Sequence, residues 1–222
     1  MRWRCGLRSV YADVQMRSIR GPAVAAVLTG LVLAACQVNV AQPVDPGHVA
    51  LQQSDVPVYL TRCDISGSID SYLKELAVKD PHGYATIHQG WRQLQAAGAV
   101  AGAMTVYSAT PQDCEQEPGS GAGRAAATLV ARFGNGQAAA SAYAKGAMGF
   151  PTPGAAEEEP GLRQGVATQL GARSWLLERE VDRNTLAVAY WQASSYTIFF
   201  VGVNLDTFEA GRALVAVNAR AG

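Results

Sequence analysis

The chain has 222 residues, with 18 basic and 18 acidic side chains, three His and four Cys, and 49% of it is hydrophobic. That length supports one domain with a substantial core and is short for two. Balanced charge argues against nucleic acid, whose phosphates demand clustered Lys and Arg.

The first elements form an address. Arg17 and Arg20 precede an apolar run, Ala23 to Leu33, that ends on the small pair Ala34-Ala35 and then Cys36. A secretory signal presents charge, hydrophobicity and a small-residue cleavage site in that order. Gly21 to Ala35 is 15 residues, against the roughly 20 that a membrane-crossing helix needs. A removable signal therefore fits better than a permanent span. Tyr11 and Asp13 are out of place before such a signal, which points to Met16 as the initiator. The absence of an Arg-Arg pair favours the general secretory route over the twin-arginine one.

Through Leu33-Ala34-Ala35-Cys36 and the run before it, the segment resembles the start of bacterial exported lipoproteins. The resemblance implies removal of residues 1–35, a diacylglycerol on the Cys36 thiol, and a domain anchored to the cell membrane on its extracytoplasmic side. The alternative is a buried Cys at the end of an ordinary secretory signal. Acyl chains anchor through about 0.8 kcal/mol per buried methylene, and stable attachment takes more than one chain.

Residues 1–35 hold five Arg and one Asp, so the remaining 187 residues carry 13 basic and 17 acidic groups, a formal charge of −4. Membrane attachment would then come from lipid and not from a basic surface. Residues 36–56, with Pro43, Pro46 and Gly47, lack periodicity and read as a lipidated end plus tether. Residues 57–222 read as a single α+β domain. With Cys5 in the signal and Cys36 acylated, Cys63 and Cys114 remain, and an exported compartment favours pairing them. No C-x-x-C and no His at ligand spacing supports a redox or metal role for either.

Within the domain, Val58 to Thr61 is a predicted strand. Ser68 caps a predicted helix carrying Ile69, Tyr72, Leu73 and Leu76 at helical spacing. Asp80-Pro81 starts another, or kinks the first, and Tyr84, Ile87, Trp91 and Leu94 continue the stripe to Gly98. Ala99 to Ala109 and Ala125 to Phe133 are strands separated by turn signals, with Cys114 between them. Asn135 caps an Ala-rich helix to Lys145, and Ala147 to Leu170 reads as a long irregular stretch. Ser174 to Val181, Leu186 to Ala193 and Tyr196 to Asn204 form a three-strand antiparallel meander. Asp206 and Glu209 make a capping box for a closing helix whose expected apolar face is Phe208, Gly211, Leu214 and Val215. The expected architecture is an antiparallel sheet with helices packed on one face.

The meander strands are apolar on both faces: Leu186, Val188 and Tyr190 against Ala187, Ala189 and Trp191, with Tyr196, Ile198 and Phe200 against Phe199, Val201 and Val203. A half-wet antiparallel sheet alternates instead. Either helices cover one side and the Ala147 to Leu170 stretch the other, or one side is an apolar concavity for a ligand or partner. Trp175, Tyr190, Trp191 and Tyr196 are the candidate lining of such a pocket, and core packing is the competing use of these aromatics.

Catalytic and cofactor signatures are missing from the pattern. His48 falls in the tether, His82 and His88 are six apart on a helix, and no Ser sits in a G-x-S-x-G elbow. Gly119-Ser120-Gly121-Ala122-Gly123 lacks the Gly-Lys-Ser/Thr ending of a phosphate loop. Glu157-Glu158-Glu159 lacks the ligand spacing of a cation loop. No cofactor and no metal ligand set is expected.

Leu170-Gly171-x-x-Ser174-Trp175, then Leu186-Ala187-Val188-Ala189-Tyr190-Trp191, then the closing amphipathic helix resemble the extracytoplasmic sensor-type domains found outside mycobacterial Ser/Thr kinases and in bacterial lipoproteins. The resemblance covers about the last third and carries over no functional residue. The expectation is a membrane-anchored, non-enzymatic lipoprotein that binds an apolar small ligand or an envelope protein. The alternatives are an enzyme with an unrecognised site and a structural envelope protein.

Overall fold

The structure, a computed structural model, describes residues 44–116, 123–154 and 157–222. Met16, the expected signal, the expected lipid box at Cys36 and Gly119 to Ala122 lie outside those residues. Among the described residues no helix is long and apolar enough to cross a membrane.

Local chemistry sets the helix boundaries. Ser68 Oγ accepts from Ser71 N at 3.2 Å, and α2 (Ile69–Lys79) begins there after a four-residue α1 (Pro46–Val49) upstream. Asp80 ends α2 and caps α3 (Pro81–Ala96), its Oδ1 accepting from Gly83 N at 3.0 Å. Pro81 at the first position has no N–H to lose, so the break yields two helices. Asn135 caps α4 (Gly136–Tyr143), and the Asp206–Glu209 capping box opens α5 (Thr207–Ala221).

The strands are β1 (Thr61–Arg62), β2 (Gly67–Ser68), β3 (Ala99–Ser108), β4 (Ala125–Phe133), β5 (Leu162–Gln164), β6 (Ser174–Val181), β7 (Asn184–Ala193) and β8 (Tyr196–Val203). They form one antiparallel sheet in the order β1-β3-β4-β8-β7-β6-β5, with β2 also on β3. β6 and β7 meet at Asp182-Arg183, both at positive φ, as a tight two-residue hairpin requires. The meander is thus present, followed by its helix, in an α+β fold.

Because strand side chains alternate, the sheet has two inner faces. Met104, Leu129, Phe133, Trp175, Tyr190 and Phe199 pack with α2, α3 and α4 on the first. Val130, Leu176, Trp191, Ile198 and Phe200 pack with α1, α5 and Leu60 on the second. Helices therefore cover both faces rather than one, since α5 folds back over the face that the meander leaves apolar.

Four expectations change. Of the stretch read as tether, 36–56, the described part from Val44 onward contributes to the core: Val49, Ala50, Leu51 and Val56 are buried on the second face. Its anchor is Asp55, whose carboxylate accepts from Arg220 Nη1 at 3.1 Å and Nη2 at 2.5 Å and from Gln52 N at 2.7 Å. Arg220 also donates to the carbonyls of Val49 and Ala50. Pro57 to Leu60 is a turn, with Leu60 N on Pro57 O and Val58 98% exposed, and only Thr61 of the predicted strand is paired. The Ala147 to Leu170 stretch contains β5, and its Ala147 and Leu162 pack on the first face beside α4. The closing helix buries Ala210, Ala213, Leu214, Val217 and Ala221, while Phe208 is 77% and Val215 51% exposed. The sheet already supplies Trp191, Ile198 and Phe200, so close packing takes small residues from the helix.

Cys63 and Cys114 form a disulfide, with Cα atoms 5.4 Å apart across a separation of 51 residues. Beside it Lys79 pairs with Glu115 at 3.4 Å.

Candidate binding groove

The four aromatics expected to share a pocket do not share a face. Trp175 and Tyr190 lie on the first face and Trp191 and Tyr196 on the second, and each is at most 3% exposed. Tyr190 stacks on Tyr143 at 5.2 Å and meets Trp175 edge-on at 6.5 Å, and Phe150 closes over Trp175 and Phe199. This is a filled aromatic core. Burial pushes the Tyr190 phenol above its ordinary value. Its hydroxyl and that of nearby Thr197 lack hydrogen bonds of proper geometry.

Three other residues weighed in the sequence, His88, Glu157 and Glu159, are engaged locally. His88 stacks on Tyr84 at 5.1 Å along α3. Glu159 pairs with Arg179 at 3.1 Å, and Glu157 accepts from Gly154 N at 3.1 Å, so members of the Glu run go to separate partners. Among the described residues no group of three or more His, Cys, Asp or Glu could hold a metal ion.

What the structure does bring together is a groove of about 760 Å³ along the outer edge of β3. It exists because β3 starts with the small run Ala99-Val100-Ala101-Gly102-Ala103. On the first face, a Cβ at Gly102 would stand 2.8 Å from the Trp91 ring, so glycine lets Trp91 lie against the strand. On the other side, Ala101, Ala103 and Thr105 are too short to fill the space beneath Gln52 and Gln53. A register shift between Ala99 and Ala101 marks a bulge, and Val100 there is 64% exposed.

The backbone of this edge is also available. β1 pairs with Tyr107 and Ser108, and β2 pairs with Ala103 and Met104. Ala99 to Gly102 thus have β4 on one side and, among the described residues, no strand on the other. Unpaired strand edges offer N–H and C=O groups to an added strand. The polar rim comes from Asp70, Gln95, Gln52, Gln53 and Arg62. Gln52 Nε2 holds the carbonyls of Gly47 and Ala50, and Gln53 Nε2 holds that of Leu60, which fixes this wall. Tyr107 lies at the inner end, its pKa raised by burial and partly offset by the Arg62 charge. The lining includes no His and no Cys. Such a surface can hold a chain by hydrogen bonds and shallow apolar contact.

Comparison of the chain with protein-family models, with curated proteins and with solved structures finds no match. The groove escaped the sequence reading, although the run of small residues in an otherwise bulky strand was its visible signal.

Proposed function

We propose that the protein is an exported binding protein, anchored to the cell membrane through acylated Cys36, that holds an extended segment of an envelope protein in the groove on β3. The observation that carries this reading is the unpaired Ala99 to Gly102 edge beside a polar rim, the arrangement that strand addition uses. Both faces of the meander are filled by the chain itself, which weighs against the alternative of an apolar small molecule within it.

The address is tested by metabolic labelling with an alkynyl fatty acid, with label expected on the wild type and absent from Cys36→Ala. The groove is tested by a photo-crosslinking amino acid at Gln95 in the native envelope. A discrete adduct is expected that disappears when Ala101→Trp fills the groove. An adduct indifferent to Ala101→Trp, or none, refutes the groove as the site.

A further inference from the structure

The described chain begins at one end of the sheet. Tyr196, the first residue of β8, donates its hydroxyl to the Val44 carbonyl. The same end holds the start of β3, the end of β4, the β7–β8 turn and the start of β6, as the pairings Ala99↔Phe133, Arg132↔Tyr196, Ala193↔Tyr196 and Ser174↔Trp191 require. The turn Gly165–Thr168 joins it there, because Ser174 Oγ donates to the Gly165 carbonyl at 3.0 Å.

Three large apolar side chains stand in solvent at this end: Val44, 48% exposed, Val100, 64%, and Val166, 81%. Val100 is on β3 and Val166 just beyond β5, five strand spacings away, or about 24 Å. Arg173, exposed at the same end, donates to Gln192 at 3.2 Å, and Asp45 is turned to its own helix, accepting from Gly47 N.

The length of chain ahead of this end selects its neighbour. Eight residue steps separate Cys36 from Val44, at most about 28 Å even fully extended. The seven residue steps of β8 alone rise about 24 Å toward the opposite end, where α5 begins and exposed Phe208 stands. To seat that far end on a bilayer, the connecting chain would have to run taut along the whole sheet.

We propose that the strand-end surface of Val44, Val100 and Val166 rests on the anionic phospholipid surface of the membrane, with Arg173 toward the headgroups. This rests on the reading of Cys36 as acylated. The valines are short and spread apart, so the contact is a shallow seating in the interfacial layer that fixes orientation, while the lipid provides attachment. The β3 groove then opens sideways, with Val100 at its membrane-near end, and receives a partner close to the bilayer.

The test uses the mature acylated protein in vesicles of phosphatidylcholine and phosphatidylglycerol carrying headgroup-level nitroxide quenchers. Single cysteines replace Val166, Val100, Val58 or Phe208 and receive a fluorophore while the Cys63–Cys114 disulfide stays intact. Quenching is expected to be strong at 166 and 100 and weak at 58 and 208. Acylated protein quenched equally at all four sites, or more at 58 and 208, overturns the orientation alone. An intact mass lacking acyl chains overturns the address beneath it. Position 166 is on the opposite edge from the groove, so its signal is independent of partner binding.

Discussion

Arg220→Ala is the substitution that most directly tests how the second core is closed. The Asp55 side chain is 5% exposed and receives two bonds from the Arg220 guanidinium, which also holds two main-chain carbonyls. Removing Arg220 leaves a carboxylate buried with only Gln52 N and Ser54 Oγ to answer it. Breaking a buried pair from one side costs about 3–5 kcal/mol, a large share of the 5–15 kcal/mol typical of a domain. Asp55→Ala should cost less, because Arg220 is 29% exposed and can turn to water. The assay is urea unfolding of oxidised residues 36–222 carrying Cys36→Ala, followed by Trp fluorescence, with both single variants and the double. A coupling energy within the 0.5–3 kcal/mol range of contacting networks is expected, toward its upper end. If each single substitution costs under about 1 kcal/mol and the two simply add, the clamp does not hold the N-terminal segment and the argument for its place in the core fails.

Three other outcomes follow from the packing. Ala213→Leu, at a fully buried position of α5, should cost about 1–3 kcal/mol by overpacking, while Phe208→Ser should stay within about 0.5 kcal/mol; urea midpoints check both, and the reverse ranking would restore the helix face expected from sequence. Cys63→Ser with Cys114→Ser opens a loop of 51 residues and should lower stability by about 4 kcal/mol in the chain-entropy model, measured against the oxidised protein; a loss under about 1 kcal/mol would contradict it. Tyr107, Tyr143 and Tyr190 have pKa values raised above 10.0 by burial, so the unfolded chain releases phenolic protons first. Stability should therefore be full below pH 10 and fall as pH rises through the higher folded values. Tyrosinate absorbance and urea titrations across that window test the sign, and a folded protein whose tyrosines all ionise at the unfolded value would refute it.

Local signals proved readable where the responsible chemistry is local. Ser68, Asp80-Pro81, Asn135 and Asp206 mark helix starts because each caps backbone within three residues. Strand parity in the meander was equally visible, and it separates Tyr190 from Trp191. Composition suggested one pocket for these aromatics, whereas period two puts them on opposite faces. Long-range causes were hidden. Nothing near Asp55 announces Arg220, 165 residues away, so an aperiodic stretch looked like tether. Ala210, Ala213 and Ala221 are too weakly hydrophobic to outweigh Phe208 in a helical pattern, yet small size is what lets α5 approach the sheet. β5 is three residues, two of them polar, and is defined by its partner β6. The groove results from missing side-chain volume, which a search for chemical groups passes over.

The order of the sheet also divides the described chain into two halves. Among the described residues β1 to β4 pair with one another in one half and β5 to β8 with one another in the other, and one seam, β4 against β8, joins them. Each half can therefore zip up from neighbours close in sequence before the two meet along one pair of strands, which keeps most of the strand pairing local in sequence. Among the described residues the connector from Tyr143 to Leu162 carries no strand pairing across the seam, and doubling such a loop adds only about 0.6 kcal/mol of closure entropy. It is the point at which the chain could lengthen or take in a foreign module while both halves keep their partners.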